Sequence, residues 1–435
     1  MDFSKTQIRK LGDRIRSEIS TGLDHVAPAD IDMLEEYRIS YKEYISTIFN
    51  KLYKESKGIR HDSITTYRLK RIESIVRKLY RYPSMELDRM SDVAGCRCIL
   101  NNEARVYKLR DQIYEIFHVS KENDYYKNPV ASGYKSIHLY ITESENDKWP
   151  VEIQIRTKND HNWATLVEII DQLYDKSLKE GESDPKFDRF FVLMSILKSL
   201  SIEQRVELIH LAHELSVFEK LYSVFVQNYL SVRINWLKVK KPKDHHFFVI
   251  EVQGDQPEIL SFKSFSDAEM KYFEKFRADS GSNIVLTYLP QSNFDNLEAA
   301  YSNYTLTTHT FIDDYFRLLS DVMGYLIRNK KYKLFYTHYS HAQVNLYASF
   351  MNIEHESSAI QDVSINDQSK AKYWKKDFRK RINRRTQQLN RISKEIEKFR
   401  PTSGYSLLIF NYYVWRINRR ERRFSRSYYR NTGGN

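Results

Sequence analysis

Polar and apolar residues alternate along two neighbouring stretches of the chain, residues 136–141 and 151–156. Because the side chains of a strand point to opposite faces in turn, each stretch predicts a strand with one apolar and one polar face. The short connector that ends at Trp149-Pro150 favours an antiparallel pair, which would set the two polar rows side by side. One surface would then carry a carboxylate, an amide, a guanidinium, an imidazole and hydroxyls, from Glu152, Gln154, Arg156, His138, Ser136 and Tyr140. The same pattern is equally typical of a half-solvated sheet without chemistry.

A second group of polar residues precedes these strands. Arg68, Lys70, Arg71 and Ser74 lie near the first turns of a predicted helix whose apolar stripe follows over residues 72–79. Cations and exposed amides at the start of a helix can hold a polyphosphate, although a solvated basic helix start has the same pattern.

Two separated acids, Asp92 and Glu152, stand among these cations. Asp92 precedes a short apolar strand that contains Arg97, and an arginine in such a strand is costly unless something engages it. Two carboxylates among cations suit one Mg²⁺ that bridges phosphates. The sequence contains neither Gly-x-x-x-x-Gly-Lys-Ser/Thr nor Gly-x-Gly-x-x-Gly, so nucleotide binding of the P-loop, Rossmann or kinase type is unsupported.

The composition indicates a soluble protein with a basic tail. The 435 residues are 41% hydrophobic and 29% charged, which predicts two or three globular domains. The net charge is +12, and between Lys370 and Arg430 there are 20 Lys and Arg against 4 acids. Since the chain shows neither a secretory signal nor an apolar run of spanning length, we expect a cytoplasmic protein without a transmembrane segment. Cys96 and Cys98 are expected to be buried apolar side chains.

Five motifs in a fixed order carry a resemblance to a known family. They are Arg68-x-Lys70-x-x-x-Ser74, Asp92-x-x-Gly95-x-Arg97, Gly133-Tyr134-x-Ser136-x-His138, Glu152-x-Gln154-x-Arg156-Thr157 and Trp163-Ala164-x-x-x-Glu168. Over about residues 1–230 this order resembles the synthetase domain of the RelA/SpoT family. The resemblance implies transfer of the β,γ-pyrophosphate of ATP to the 3′-hydroxyl of GDP or GTP, which makes the alarmone (p)ppGpp.

The resemblance also implies roles for single residues. The ATP donor would be held by Arg68 and Arg97, which would sandwich the adenine, and by Lys70 and Ser74 at the phosphates. Asp92 and Glu152 would be catalytic and would place the Mg²⁺, with Glu152 accepting the proton of the attacking hydroxyl. The acceptor would be bound by Tyr134, His138, Gln154 and Arg156, with Tyr134 stacking on its base.

Two departures from the family pattern concern the acceptor. Members that use GDP or GTP often carry a lysine and a further basic residue where this chain has Asn123 and Val130. Fewer cations there would suit an acceptor without a 5′-diphosphate, such as the 3′ end of tRNA, pyrophosphorylated by a toxic synthetase. In that alternative the C-terminal half would act as a fused antitoxin or a sensor of phage infection. A second alternative is a catalytically inactive RNA-binding module, which the presence of both acids disfavours. The sequence leaves the oligomeric state open, and a homo-oligomer is compatible with each of these functions.

The expected fold is α+β. It comprises a mixed, nucleotidyltransferase-like sheet flanked by helices in residues 1–230, a small ββαβ unit within an accessory domain over 231–328, and a basic, Tyr- and Arg-rich, helical region over 329–435. For this last region three interpretations compete: an RNA-binding arm, a membrane-surface helix, or a segment that docks on the rest of the chain. A solvated, partly disordered helical appendage is a fourth.

Overall fold

The computed structural model describes residues 3–19, 26–142, 149–174, 184–239, 244–253, 256–278, 283–289, 296–297, 309–364 and 368–431. The chain forms two compact units, each built from two segments. The first comprises Met1–Ala164 and Ser231–Thr305, and the second comprises Thr165–Leu230 and Leu306–Asn435.

The first unit contains one mixed sheet and the helices that cover it. Its strands are β1 Ile64–Leu69, β2 Ala94–Leu100, β3 His118–Asp124, β4 Ile137–Thr142, β5 Val151–Thr157, β6 Phe247–Gln253, β7 Gln256–Phe262 and β8 Asn283–Tyr288. Its helices are α1 Lys5–Ile19, α2 Pro28–Ile39, α3 Lys42–Ile59, α4 Ile72–Arg81, α5 Glu103–Ile116 and α10 Phe265–Ala278. The sheet order is β3-β4-β5-β2-β1-β8-β6-β7, in which β2 and β5 are parallel and the other neighbours are antiparallel.

The predicted strand pair at the centre of the sequence is confirmed. β4 and β5 are antiparallel, with His138 opposite Gln154 and Tyr140 opposite Glu152. The alternate positions of both strands carry the fully buried residues Ile137, Leu139, Ile141, Val151, Ile153 and Ile155. Of the connector, Asp147 and Lys148 lie outside the described residues. The period-two pattern therefore sets one face of the sheet against the core and leaves the other polar.

Arg68 does not lie at the start of a helix, so that part of the prediction is wrong. It belongs to β1, and α4 begins only at Ile72. The β-branched and aromatic run Ile64-Thr65-Thr66-Tyr67 favours a strand, and β1 pairs with β2 on one side and β8 on the other. Arg68 therefore projects from a central strand of the sheet.

The core of the first unit lies between the sheet and its helices. Ile8, Leu34, Phe49, Ile75 and Leu109, from α1 to α5, are all inaccessible to solvent. Tyr272 of α10 belongs to the same cluster, and its hydroxyl accepts a hydrogen bond from the backbone N–H of Leu69 at 3.2 Å. Cys96 and Cys98 are buried in this core as unpaired thiols, as expected, and burial raises the pKa of the Cys98 thiol to about 12.

In the part of the second unit that the structure describes, every element is a helix. These are α7 Pro185–Ser195, α8 Ile202–Glu214, α11 His309–Arg328, α12 Tyr332–Ser364, α13 Gln368–Lys398 and α14 Gly404–Asn431, together with parts of α6 Lys158–Leu173 and α9 Val217–Lys238. Arg385 of α13 binds Asp313 of α11 at 2.7 Å and Ser349 of α12 at 2.9 Å. The basic C-terminal region is thus helical, as predicted, and its helices pack within this unit rather than forming a solvated appendage.

The unit boundaries differ from the domains expected from the sequence. The predicted ββαβ order is present as β6, β7, α10 and β8, but β8 pairs with β1, so these strands extend the same sheet. A separate accessory core over 231–328 is therefore not observed, because the open edge of β1 is completed by a strand more than two hundred residues later. Among the described residues, no helix is both long and apolar enough to cross a membrane.

Candidate active site

The polar face of the sheet carries two rows of side chains that run across five strands. Strand register places Arg68, Gly95, Glu152, Tyr140 and Lys121 in the first row and Thr66, Arg97, Gln154, His138 and Asn123 in the second. The candidate residues of four separate motifs therefore meet on one surface. The sequence predicted only that the polar rows of β4 and β5 lie side by side.

Gly95 leaves a gap in the first row between Arg68 and Glu152. A Cβ at this position would meet only the carbonyl oxygen of Glu152, at the ordinary contact distance of 3.5 Å. The protein itself therefore has room for a side chain here. Its absence leaves the floor of the sheet open between a guanidinium and a carboxylate.

Asp92 lies beside the first row, two residues before β2. Its two carboxylate oxygens are bound by Lys70 Nζ at 2.8 Å and by Lys78 Nζ at 2.9 Å. Burial alone would raise the pKa of this carboxyl, but the two ammonium groups outweigh burial and bring the pKa to about 2. Burial lowers the pKa of Lys70, and the charge of Asp92 opposes that change. The cluster has two positive charges and one negative charge, which suits a polyphosphate.

Glu152 is 9% exposed and is held at both of its oxygens. Oε1 lies 3.0 Å from His138 Nδ1, and Oε2 accepts a hydrogen bond of 2.9 Å from Gln154 Nε2. Burial would raise the pKa of Glu152, but the hydrogen bond and the charge of His138, together with the hydrogen bond from Gln154, outweigh burial and the pKa is lowered. The nearby charge of Asp92 acts in the opposite direction, so the two carboxylates share one electrostatic environment. Glu152 is ionised at neutral pH.

A chain of hydrogen bonds connects Glu152 to both sides of the site. On one side His138 Nε2 lies 2.7 Å from the hydroxyl of Tyr134. On the other side Gln154 Oε1 accepts a hydrogen bond of 3.3 Å from Arg97 Nε. His138 and Gln154 therefore orient the carboxylate, beyond the acceptor contact that the resemblance implies for them.

Tyr134 lies in an aromatic group at the acceptor end. Its ring makes an edge contact with Tyr125, with centroids 5.5 Å apart, and lies 6.2 Å from the ring of Trp163. Trp163 is 8% exposed and belongs to the packed interior, as expected. Gly133, directly before Tyr134, has a φ of 87°, a conformation that favours glycine and turns the chain into this position.

Arg156 lies on the same face but is more deeply buried than a ligand-binding residue would be. It is 2% exposed, and its Nη2 lies 2.7 Å from His161 Nδ1 in the first turn of α6. Burial raises the pKa of Tyr134, and the charge of Arg156 opposes that change. In this structure Arg156 contacts His161, and its contact with the acceptor stays a prediction.

The remaining residues that the resemblance assigns to ATP are placed by β1, β2 and α4. Arg68 and Arg97 are partly buried on neighbouring strands, and Ser74 lies in the first turn of α4. Lys78 lies one helical turn after Ser74 and was not predicted. Its spacing of four residues from Ser74 on a helix was the signal that could have found it.

The acceptor end contains a cation that the sequence reasoning also missed. Asn123 pairs with His138 in the sheet register, so the missing lysine would have stood in the second row. Lys121 lies opposite Tyr140 in the first row, and its Nζ is 5.6 Å from the centre of that ring. Val130 is 40% exposed in the loop before β4.

The donor set was compared with the needs of Mg²⁺. No group of three or more His, Cys, Asp or Glu in metal-binding geometry occurs in the described ranges. Magnesium commonly takes one or two carboxylates and completes its shell with phosphate oxygens and water. Asp92 and Glu152 supply that number of carboxylates, and in this structure their oxygens are held by Lys70, Lys78, His138 and Gln154.

The fold and the site define a class of enzyme. A mixed sheet that presents two ionised carboxylates among lysines and arginines suits transfer of phosphoryl-type groups, which relies on alignment and charge neutralisation more than on covalent catalysis.

Comparison with known proteins gives a match for one segment of the chain. Residues 67–176 match the family model described as the region found in RelA/SpoT proteins. The chain is 29% identical over 165 residues to the GTP pyrophosphokinase YjbM of Bacillus subtilis, covering 34% of this chain and 76% of that protein. It is 31% identical over 135 residues to the probable chloroplastic GTP diphosphokinase RSH3 of Arabidopsis thaliana, covering 30% of this chain and 18% of that protein. Residues 67–176 are therefore similar to the region found in RelA/SpoT proteins.

The chain is also similar to a solved structure, the small alarmone synthetase 1 of Bacillus subtilis bound to its product pppGpp. The match covers 38% of this chain and 90% of that chain, with 24% identity and a TM-score of 0.32. The similarity to RelA/SpoT proteins rests on the family model and the sequence relatives.

Proposed function

We propose that the first unit is a Mg²⁺-dependent pyrophosphokinase that transfers the β,γ-pyrophosphate of ATP to the 3′-hydroxyl of a guanosine nucleotide. The observation that carries the proposal is the pair of ionised carboxylates at one end of the polar face, Asp92 between two lysines and Glu152 between His138 and Gln154. The names of the relatives support the same activity.

In this proposal the donor lies between β1, β2 and α4. Lys70, Lys78 and Ser74 bind the β- and γ-phosphates, and the guanidinium groups of Arg68 and Arg97 sandwich the adenine. The gap at Gly95 lets the nucleotide lie close to the sheet. Mg²⁺, when bound by Asp92 and Glu152, neutralises phosphate charge.

The reaction forms a bond between the acceptor 3′-oxygen and the β-phosphorus. The bond from that phosphorus to the α-phosphate oxygen breaks, and AMP leaves with the bonding electrons. Glu152 accepts the hydroxyl proton, because it is ionised and fixed in position by His138 and Gln154. The ammonium groups of Lys70 and Lys78, which contact Asp92 in this structure, would neutralise the charge of the transferred phosphates.

Lys121 supports a free guanosine nucleotide as the acceptor. It stands in the first row beyond Tyr140, on the same face as the absent cation at Asn123, and can neutralise a 5′-phosphate there.

The tRNA alternative is favoured by Asn123 and by the exposed, uncharged Val130. An assay with γ-labelled ATP, Mg²⁺ and separate GDP, GTP and deacylated tRNA distinguishes the two. Label on GDP or GTP supports the proposal, and label on tRNA alone replaces it with a translation-blocking enzyme. No transfer to any acceptor would contradict both.

A further inference from the structure

The described side chains of helix α14, over residues 404–420, place aromatic rings on two opposite faces, and only one of these two faces is packed. On the packed face Phe410 is 2% and Ile417 1% exposed. The ring of Phe410 stacks on Phe335 of α12 at 5.7 Å, and Tyr413 lies 5.4 Å from Tyr336 of the same helix. This face alone is sufficient to attach α14 to the second unit.

The opposite face presents a stripe of large side chains to solvent, which we call the outer stripe. It consists of Tyr405, Leu408, Tyr412 and Trp415, which are 79%, 67%, 52% and 55% exposed. Their spacing of three and four residues puts them on one side of the helix, about half a turn from Phe410 and Ile417. Large apolar side chains gathered on one exposed face mark an interaction surface.

Arginines accompany the rings of the outer stripe. The guanidinium of Arg419 lies 5.3 Å from the ring centre of Trp415, and that of Arg416 lies 5.8 Å from Tyr412. The rings of Tyr412 and Trp415 are 6.4 Å apart and inclined by only 27°. The stripe therefore offers flat rings in similar orientation with cations beside them.

We propose that the outer stripe of α14 binds single-stranded RNA, with bases stacked on Tyr412 and Trp415 and phosphates held by the neighbouring arginines. Stacking on aromatic rings beside a basic surface is how proteins hold unpaired nucleic acid without reading its sequence. RNA presents such unpaired bases in loops and at ends. Charge complementarity supports this partner, since Lys370–Arg430 contains 20 Lys and Arg against 4 acids.

Two other occupants fit less well. A second copy of the chain would bring two strongly positive segments together. A lipid surface rewards buried apolar area, yet Leu408 is the one aliphatic side chain of the outer stripe, whose rings have guanidinium groups beside them. The proposal does not depend on the pyrophosphokinase activity, since binding needs neither ATP nor Asp92.

The test is fluorescence anisotropy of the full chain with a labelled oligouridine of roughly 16 nucleotides. Replacing Tyr412 and Trp415 together by Ala should weaken binding at least tenfold, because each stacked base contributes about fivefold or more. The slope of log affinity against log salt should not change in that variant, because the rings contact no phosphate. Replacing Arg416, Arg419 and Arg420 by Gln should flatten the slope by about 2.

Met270→Ala is the matched control, since Met270 is 65% exposed on α10 and should leave RNA affinity unchanged. Melting temperatures show that each variant folds. The same sequence as a duplex should bind more weakly than the single strand. Equal affinity of the double alanine variant and the parent overturns the proposal. The proposal is also overturned if the protein does not bind oligouridine but binds phosphatidylserine vesicles through Trp415. Self-association in sedimentation that depends on Trp415, again without oligouridine binding, would overturn it as well.

Discussion

Replacing Glu152 by Gln tests the centre of the proposed mechanism. The two side chains have nearly the same volume, so packing around a residue that is 9% exposed is preserved. The amide oxygen of the variant can still accept a hydrogen bond from Gln154 Nε2. Its NH₂ group faces His138 Nδ1, which in the parent protein lies 3.0 Å from a Glu152 carboxylate oxygen. His138 can accept that hydrogen bond in its other tautomer and donate from Nε2 to Tyr134.

The expected magnitudes separate folding from catalysis. Exchanging one charged hydrogen bond for a neutral one costs about 1 kcal/mol of unfolding free energy. Removing a proton acceptor costs roughly two to four orders of magnitude in rate, and losing one of two Mg²⁺ carboxylates adds to that loss. We therefore expect a folded protein with transfer reduced at least about a hundredfold.

The assay is transfer from γ-labelled ATP to the acceptor that the parent protein uses, alongside thermal unfolding. Glu122→Gln is the matched control, since it is the same substitution at a residue on β3 of the same sheet. Its carboxylate binds Tyr114 at 2.6 Å and Arg110 at 3.4 Å, on the opposite face from the site. This control should retain full activity.

Unchanged turnover in Glu152→Gln would refute the role of this carboxylate. The pH profile gives a second check, because the lowered pKa keeps Glu152 ionised well below neutrality. The transfer rate of the parent protein should therefore not fall between pH 7 and about 5 through protonation of Glu152.

Two further predictions concern charge in each unit. Lys78→Met should raise the pKa of Asp92 from about 2 toward its ordinary 3.8 and raise the KM for ATP about tenfold, measured by initial rates. The stability contributed by Asp92 is present above about pH 3.9 and is lost as the pH falls toward 2. The unfolding free energy of the variant, measured in urea, should therefore be lower by about 1 kcal/mol at pH 6 and little changed at pH 2. An unchanged KM would argue against a phosphate contact. In the second unit, burial and neighbouring histidines lower the pKa of His213 to about 2 and of His338 to about 4. Their stabilising effect is complete above about pH 6.5 and is lost as the pH falls. The unfolding free energy of the second unit should therefore decrease by about 2 kcal/mol per histidine between pH 7 and 5. A melting temperature that does not depend on pH would contradict this.

Much of the candidate site was readable from the sequence because it is encoded locally. The period-two pattern of β4 and β5 sorted Glu152, Gln154 and His138 from the core residues without any knowledge of the fold. The helical character of the C-terminal region was likewise predicted from the local sequence. Asp92 and Arg97 were singled out because charge beside an apolar strand needs a partner, and each has one.

The partners themselves were decided by tertiary structure. Lys78 reaches Asp92 only because the fold brings α4, which follows β1, close to the start of β2. Arg156 has the spacing of a site residue, yet α6 folds over it and supplies His161. Alternation gives the face on which a side chain lies but not what covers that face.

The extent of the sheet was likewise beyond local reasoning. The sequence determined that β6, β7, α10 and β8 exist in that order, and the structure alone showed that β8 pairs with β1, with Thr65 opposite Tyr288. A strand's periodicity reports its two faces, whereas its partner is chosen through backbone hydrogen bonds at its edges, which are the same for every residue type except proline. Long-range pairing therefore leaves little trace in the sequence, while the chemistry of each face leaves a clear one.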